Sequence, residues 1–211
     1  MTTPQHQVAD VYRTLGRAGL NAGSSGNVSV RTRQGMVITP SGCSAETIGD
    51  ADAVKMTLAG KVRGKRPPSS EWFMHAAVYQ AYPDAHAIVH THSDACTALA
   101  CLNEALPAFH YLIVQFGGDD VRCAPYVTFG TPALAELAVA ALADRSACLL
   151  ANHGMIVYGP NADAALSAAI TLEALARQYL LARAAGKVQL LTTAEMQAAR
   201  ERFRTYGSRA K

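Results

Sequence analysis

The sequence predicts an α/β protein of αβα layers, with a mostly antiparallel central sheet flanked by helices. Three observations carry this. Short apolar runs come in close pairs early in the chain, so neighbouring strands join by tight turns rather than crossover helices. Segments of helical period lie before, between and after them. Strand candidates outnumber the crossovers that a parallel sheet would need. The 211 residues, half of them hydrophobic, supply the core of a single domain spanning 1–211.

Each element has its own signal. Gln5 to Leu20 carries Val8, Val11, Tyr12, Leu15 and Leu20 at helical spacing. Asn21 to Gly26 reads as a loop. Val28-Ser29-Val30 and Met36-Val37-Ile38 are strands around a turn at Arg31 to Gly35, and Pro40-Ser41-Gly42 ends the second. Val54 to Leu58 and Lys61 to Arg63 flank Ala59-Gly60 as another hairpin. Ser69-Ser70 is expected to cap a helix from Glu71 to Ala81, with Glu71 in its first turn and Pro83 as its stop. Ala87 to His92 is a buried strand, and Ser93 is expected to cap a helix to Cys101. Tyr111 to Phe116 reads as a strand broken by Gly117-Gly118. Thr131-Pro132 opens a helix to Ala143, with Pro at its favoured first position. Ala147 to Leu150 and Met155 to Tyr158 are strands around a turn at His153. Asn161 to Ala185 is a long helix closed by Gly186, and Glu195 to Arg204 a last one.

Composition excludes several classes of partner. The net charge is +3 without a basic block. Arg63, Lys65 and Arg66 run straight into Pro67-Pro68 and read as a solvated turn, so no nucleic acid is expected. The Ala-rich stretch from Pro132 is interrupted by Glu136, Asp144 and Arg145, so no membrane span is expected. The first seven residues show no apolar run or basic leader. Five cysteines without a C-x-x-C pair point to reduced thiols. A cytoplasmic protein is the expectation. Charged residues are only 17%, so much surface is expected to be buried in a large core or between subunits.

The chemistry concentrates in few residues. His90 and His92 are two apart on a strand and share a face. His153 can add a third imidazole from a second strand end. Three neutral imidazoles with one open position make a catalytic zinc site. A lone His-x-His pair is more often structural; three histidines at strand ends weigh against that reading. Glu71 alone is an ordinary first-turn glutamate, but beside a metal it could ligate or act as a base. His75, four residues on, is placed to support that carboxylate. Three small-residue turns, Gly26-Asn27, Ser41-Gly42 and Ser69-Ser70, could together hold a phosphate by backbone N–H groups. The five lysines lie near turns or termini and none in an apolar strand, so a Schiff-base lysine is not expected. A zinc hydrolase shares the imidazole chemistry but has no need of three phosphate turns.

Seven segments in order carry a resemblance. They are Gly26-Asn27-Val28-Ser29-Val30-Arg31, Ile38-Thr39-Pro40-Ser41-Gly42, Pro68-Ser69-Ser70-Glu71-Trp72, Ile88-Val89-His90-Thr91-His92, Pro107-Ala108-Phe109-His110-Tyr111, the run from Cys123 to Thr131, and Asn152-His153-Gly154. With the tail from Phe203 to Gly207, the chain resembles the class II aldolase/adducin family from about residue 8 to residue 207, and most closely its L-fuculose-1-phosphate aldolase branch.

The resemblance implies a homotetramer with sites at subunit interfaces. It implies Zn²⁺ on His90, His92 and His153, with Glu71 as fourth ligand and then as base; Co²⁺ or Mn²⁺ would also suit such a site. Asn27, Ser41, Gly42, Ser69 and Ser70 would cradle the phosphate of a phosphorylated sugar. Tyr111 from a neighbouring subunit would protonate the aldehyde oxygen, and Phe129 and Tyr206 would line the aldehyde side. The implied reaction cleaves a ketose 1-phosphate into dihydroxyacetone phosphate and a short aldehyde. Ribulose-phosphate 4-epimerases of the family would carry Asp in place of Glu71 and a carboxylate within the segment Tyr111 to Gln115. Their absence favours an aldolase over an epimerase, decarboxylase or dehydratase on the same scaffold. Retention of all three histidines disfavours a non-catalytic adducin-like module.

Overall fold

The computed structural model describes residues 2–205. Its strands are β1 (Asn27–Thr32), β2 (Gly35–Ile38), β3 (Val54–Met56), β4 (Val62–Arg63), β5 (Ala87–Thr91), β6 (Cys123–Ala124), β7 (Ala147–Leu150) and β8 (Gly154–Gly159). Its α-helices are α1 (Pro4–Arg17), α2 (Trp72–Ala81), α3 (Asp94–Cys101), α4 (Pro132–Ala141), α5 (Ala162–Ala185) and α6 (Thr193–Thr205). One sheet holds the strands in the order β4-β3-β2-β1-β5-β8-β7-β6. Every pairing is antiparallel except β6 with β7. The mixed, mostly antiparallel sheet with helices on its faces is therefore as the sequence predicts.

Side-chain alternation divides the core in two. Val28, Val30, Val89, Met155 and Val157 face Tyr12 of α1, Leu99 of α3 and Leu172 and Leu175 of α5. Ile38, Ile88 and Ile156 face Met74 and Val78 of α2 and Leu134 and Ala138 of α4. Burying each such aliphatic side chain contributes about 1.5–3 kcal/mol. Because both faces are covered, β5 and β8 are buried along nearly their whole length. The polar residues that do occur there stand out.

Three local expectations need correction. Tyr111–Phe116 is a 3₁₀ helix, not a strand. His110 starts it by accepting a hydrogen bond from Leu112 N–H at Nδ1, and Gly117 ends it in the left-handed region at φ 102°. These local bonds override the β propensity of the apolar run. Helix α2 begins one residue later than expected, with Glu71 as the capping residue; Ser69 Oγ accepts from Glu71 N–H instead of capping the helix. Ser93 stands at the start of α3, but its side chain makes no capping bond. Glu173 of α5 does that work, its two carboxylate oxygens taking Ala95 N–H at 2.8 Å and Cys96 N–H at 2.9 Å.

Candidate metal centre and substrate cleft

The centre forms where β5 and β8 end in the middle of the sheet. His90 sits on β5 opposite Asn27 of β1 and Ile156 of β8, on the face covered by α2. Its Nδ1–H donates to Met155 C=O at 2.8 Å, which fixes the tautomer and leaves the Nε2 lone pair to point inward. His92 follows just past the strand end. His153 comes from the turn between β7 and β8, and two backbone features place it. Asn152 holds the left-handed conformation at φ 54°. Gly154 has no room for a side chain: a Cβ there would lie 2.3 Å from Thr91 C=O and 3.2 Å from the His92 ring. Glu71 arrives from the start of α2.

These four side chains converge. Their ligand atoms all lie within 4.8 Å of one another. Glu71 Oε2 is 2.9 Å from His90 Nε2, and Glu71 Oε1 is 3.2 Å from His153 Nε2. His90 Nε2 and His92 Nε2 are 3.0 Å apart. The three rings stand at 73–74° to one another with centroids 4.7–4.9 Å apart, a three-bladed propeller around one point.

The donor set fits a divalent ion. Two imidazole nitrogens at 3.0 Å need either a proton or a metal ion between them. Glu71 Oε1 is buried and makes no hydrogen bond. With zinc bonds of roughly 2.0–2.2 Å, tetrahedral donors would stand roughly 3.4 Å apart, near the spacings found. Electrostatics agree. Burial pushes the Glu71 carboxyl up, but His90 and His153 outweigh it and hold the group well below the usual carboxylate range. Burial pulls His90 down, yet the Glu71 carboxylate prevails and raises it. His92 is lowered to about 4, by burial and then by His90 and His153. The site thus favours an ionised Glu71.

A cleft of about 300 Å³ opens onto this cluster. Ser41, Gly42, Ser69, Ser70 and Asn27 line it, so the fold brings all three small-residue turns together beside Glu71, His92 and His153. Among the described residues neither Arg nor Lys lines it. Asn27 also turns its amide inward, donating from Nδ2 to Glu71 Oε2 at 3.0 Å. His75 does not reach Glu71 directly; it meets Asn27 instead. Phe129, 62% exposed, stands in the cleft wall. Tyr111 lines a different cleft with Gln115, Arg202 and Phe203 and is half exposed. Tyr206 lies outside the described residues. Sequence reasoning did not single out Ser24, Ser25 or Tyr126, which also line the cleft. The available signal for Tyr126 was an aromatic in a loop between Pro125 and Gly130, where no periodic core position calls for one.

The model of the class II aldolase and adducin N-terminal domain matches residues 6–180. The chain belongs to the class II aldolase/adducin family. It is 43% identical over 206 residues to a 5-methylthioribulose-1-phosphate/5-deoxyribulose-1-phosphate aldolase of Rhodospirillum rubrum, covering 98% of this chain and 93% of that protein. It is 44% identical over 204 residues to the L-fuculose phosphate aldolase of Escherichia coli K12, covering 96% and 95%. A solved L-fuculose 1-phosphate aldolase superposes with a TM-score of 0.92 at 40% identity, covering 97% of this chain and 98% of that one. The family places this chain among metal-dependent class II aldolases, in agreement with its His/Glu cluster. No helix among the described residues is long and apolar enough to cross a membrane.

Proposed function

We propose that the chain is a zinc-dependent aldolase that reversibly cleaves a ketose 1-phosphate into dihydroxyacetone phosphate and a short aldehyde. The observation that carries this reading is the junction of two features: a four-ligand cluster and a cleft of hydroxyl and backbone donors in which, among the described residues, no Arg or Lys takes part. Such a cleft suits a phosphate held by N–H and O–H groups. His90, His92, His153 and Glu71 would hold the ion. When bound, it supplies a Lewis acid for the oxygens beside the bond that breaks.

The residues divide the remaining work. Ser41, Gly42, Ser69, Ser70 and Asn27 grip the phosphate and fix the distance to the reacting carbon. Glu71 Oε1, free of hydrogen bonds, takes and returns the proton of the carbon next to the ketone. Phe129 and Tyr206 bound the aldehyde side. Tyr111 gives its phenolic proton to the aldehyde oxygen from a neighbouring copy, a reading that its place in a separate surface cleft supports. A homotetramer with shared sites would meet that need.

Two substrate branches remain, and relatives of both are similarly close. L-Fuculose 1-phosphate would yield L-lactaldehyde. A 5-deoxypentulose or 5-methylthiopentulose 1-phosphate would yield a less hydroxylated aldehyde, which the exposed Tyr126 and Phe129 suit. The test is a cleavage assay on each compound with detection of dihydroxyacetone phosphate, before and after chelation. Chelator-sensitive, zinc-restored product is expected from at least one. Zinc-loaded, folded protein that releases none from any would overturn the proposal.

A further inference from the structure

Behind Glu71, away from the cleft, a line of polar side chains runs through the interior. Asn27 Nδ2 donates to Glu71 Oε2 at 3.0 Å. His75 Nε2 lies 2.5 Å from Asn27 Oδ1. Ser29 Oγ is 2.7 Å from His75 Nδ1 and 2.8 Å from Tyr79 Oη. All five residues are buried, with His75 and Ser29 at 0% exposure. Asn27 and Ser29 share one face of β1, and His75 and Tyr79 are one helical turn apart on α2. Arg31, next on that strand face, lies 4.8 Å over the Tyr79 ring and donates to Ala85 C=O and Tyr82 C=O. Strand and helix are thereby clamped beyond the end of the line.

The chemistry allows only one direction for these bonds. The Glu71 carboxylate can only accept, so Asn27 must present its NH₂ to it and its carbonyl to His75. His75 must then carry its proton on Nε2. Nδ1 becomes the acceptor, Ser29 donates to it, and Tyr79 donates to Ser29. Burial, followed by the charge of His90, lowers His75 to about 3, so a neutral ring with one N–H is the form present. Every link is determined by its neighbour, back to the Tyr79 hydroxyl.

We propose that this line positions the catalytic carboxylate: His75 locks the amide of Asn27, and Asn27 holds Glu71 Oε2, leaving Oε1 as the oxygen that binds the ion and carries the proton. His75 is thus a positioning residue that touches neither substrate nor metal. The proposal rests on Glu71 being ligand and base, and it extends that reading to what orients the carboxylate. Without the His75 N–H, the amide of Asn27 can flip and turn its carbonyl on the carboxylate. A line of this kind behind a metal ligand commonly changes metal affinity about 10–100-fold when broken.

The test combines a spectroscopic signature with a rescue. In the wild-type protein, ¹⁵N NMR of His75 is expected to show Nε2 protonated and Nδ1 bare, with or without zinc. His75→Leu is expected to weaken zinc binding, read by chelator competition, by on the order of tenfold or more. His75→Gln, whose amide still reaches Asn27 with an N–H, should recover most of that loss. Ser29→Ala serves if His75→Leu does not fold: freed from its donor, His75 should shift its proton toward Nδ1, and zinc binding should weaken with it. A proton on Nδ1 in the wild type would overturn the proposal. So would wild-type zinc affinity in His75→Leu, or in Ser29→Ala where that variant is the one used. These readouts need no substrate, so they fail separately from the aldolase reading, which falls if no ketose phosphate is cleaved.

Discussion

The two sides of the candidate site are built differently. On the metal side, His90 and Glu71 are buried, their rear atoms hydrogen-bonded, His90 on a strand in the centre of the sheet and Glu71 at the start of α2. On the proposed aldehyde side stand Phe129 and Tyr126, 62% and 60% exposed, on a loop that lines the cleft. The metal side is buried and internally hydrogen-bonded. The proposed aldehyde side consists of surface residues, to which a neighbouring copy would add Tyr111. If the proposed roles hold, relatives of two substrate classes at nearly equal identity are what this division predicts: chemistry fixed by the sheet, selection free to drift on loops.

Substitutions can break or sharpen that contrast. The largest effect is expected from Glu71→Gln, which keeps the shape and the metal site but removes the base. Turnover should drop about 10²–10⁴-fold while zinc measured on the purified protein stays near one per chain; an unchanged rate would remove Glu71 from its proposed role. Next comes Gly154→Ala. Its new methyl group would press on Thr91 C=O and the His92 ring, costing about 1–3 kcal/mol of stability, visible as a lowered urea midpoint together with weaker zinc binding. On the other side, Phe129→Ala should leave the urea midpoint within about 0.5 kcal/mol of wild type. It should instead change the ratio of kcat/KM between fuculose and deoxypentulose phosphates by about tenfold. A ratio that does not move would detach Phe129 from selection. Smallest is Glu173→Ala, which uncaps α3 behind His92 at a cost of about 1–2 kcal/mol, measured by denaturant titration with substrate preference unaltered.

The same division explains what could be read without a structure. The His90-x-His92 pair was legible because a strand puts alternate residues on one face. The order of strands and helices was legible because periodicity and turn residues are local signals. What escaped depends on residues far apart in the chain. Glu173 caps a helix 78 residues earlier, so Ser93 looked like the natural cap. His75 appeared to serve Glu71 by helical proximity, but it acts through Asn27, 48 residues away. Tyr111–Phe116 has strand composition, yet a ring nitrogen of His110 and a left-handed Gly117 turn it into a helix. On the cleft, Tyr126 passed unnoticed because an exposed loop residue has no period to betray it.

The pairing of Asn27 with His90 across β1 and β5 has a practical consequence. Slippage of either strand by one residue would turn its polar group to the opposite layer of the sandwich and dismantle the centre at once. Correct alignment and catalytic competence are therefore achieved in the same event. During refolding, or across a library of core variants, recovered enzymatic signal would count only molecules whose middle strands are in register, a selective probe for a quantity that bulk spectroscopy averages over.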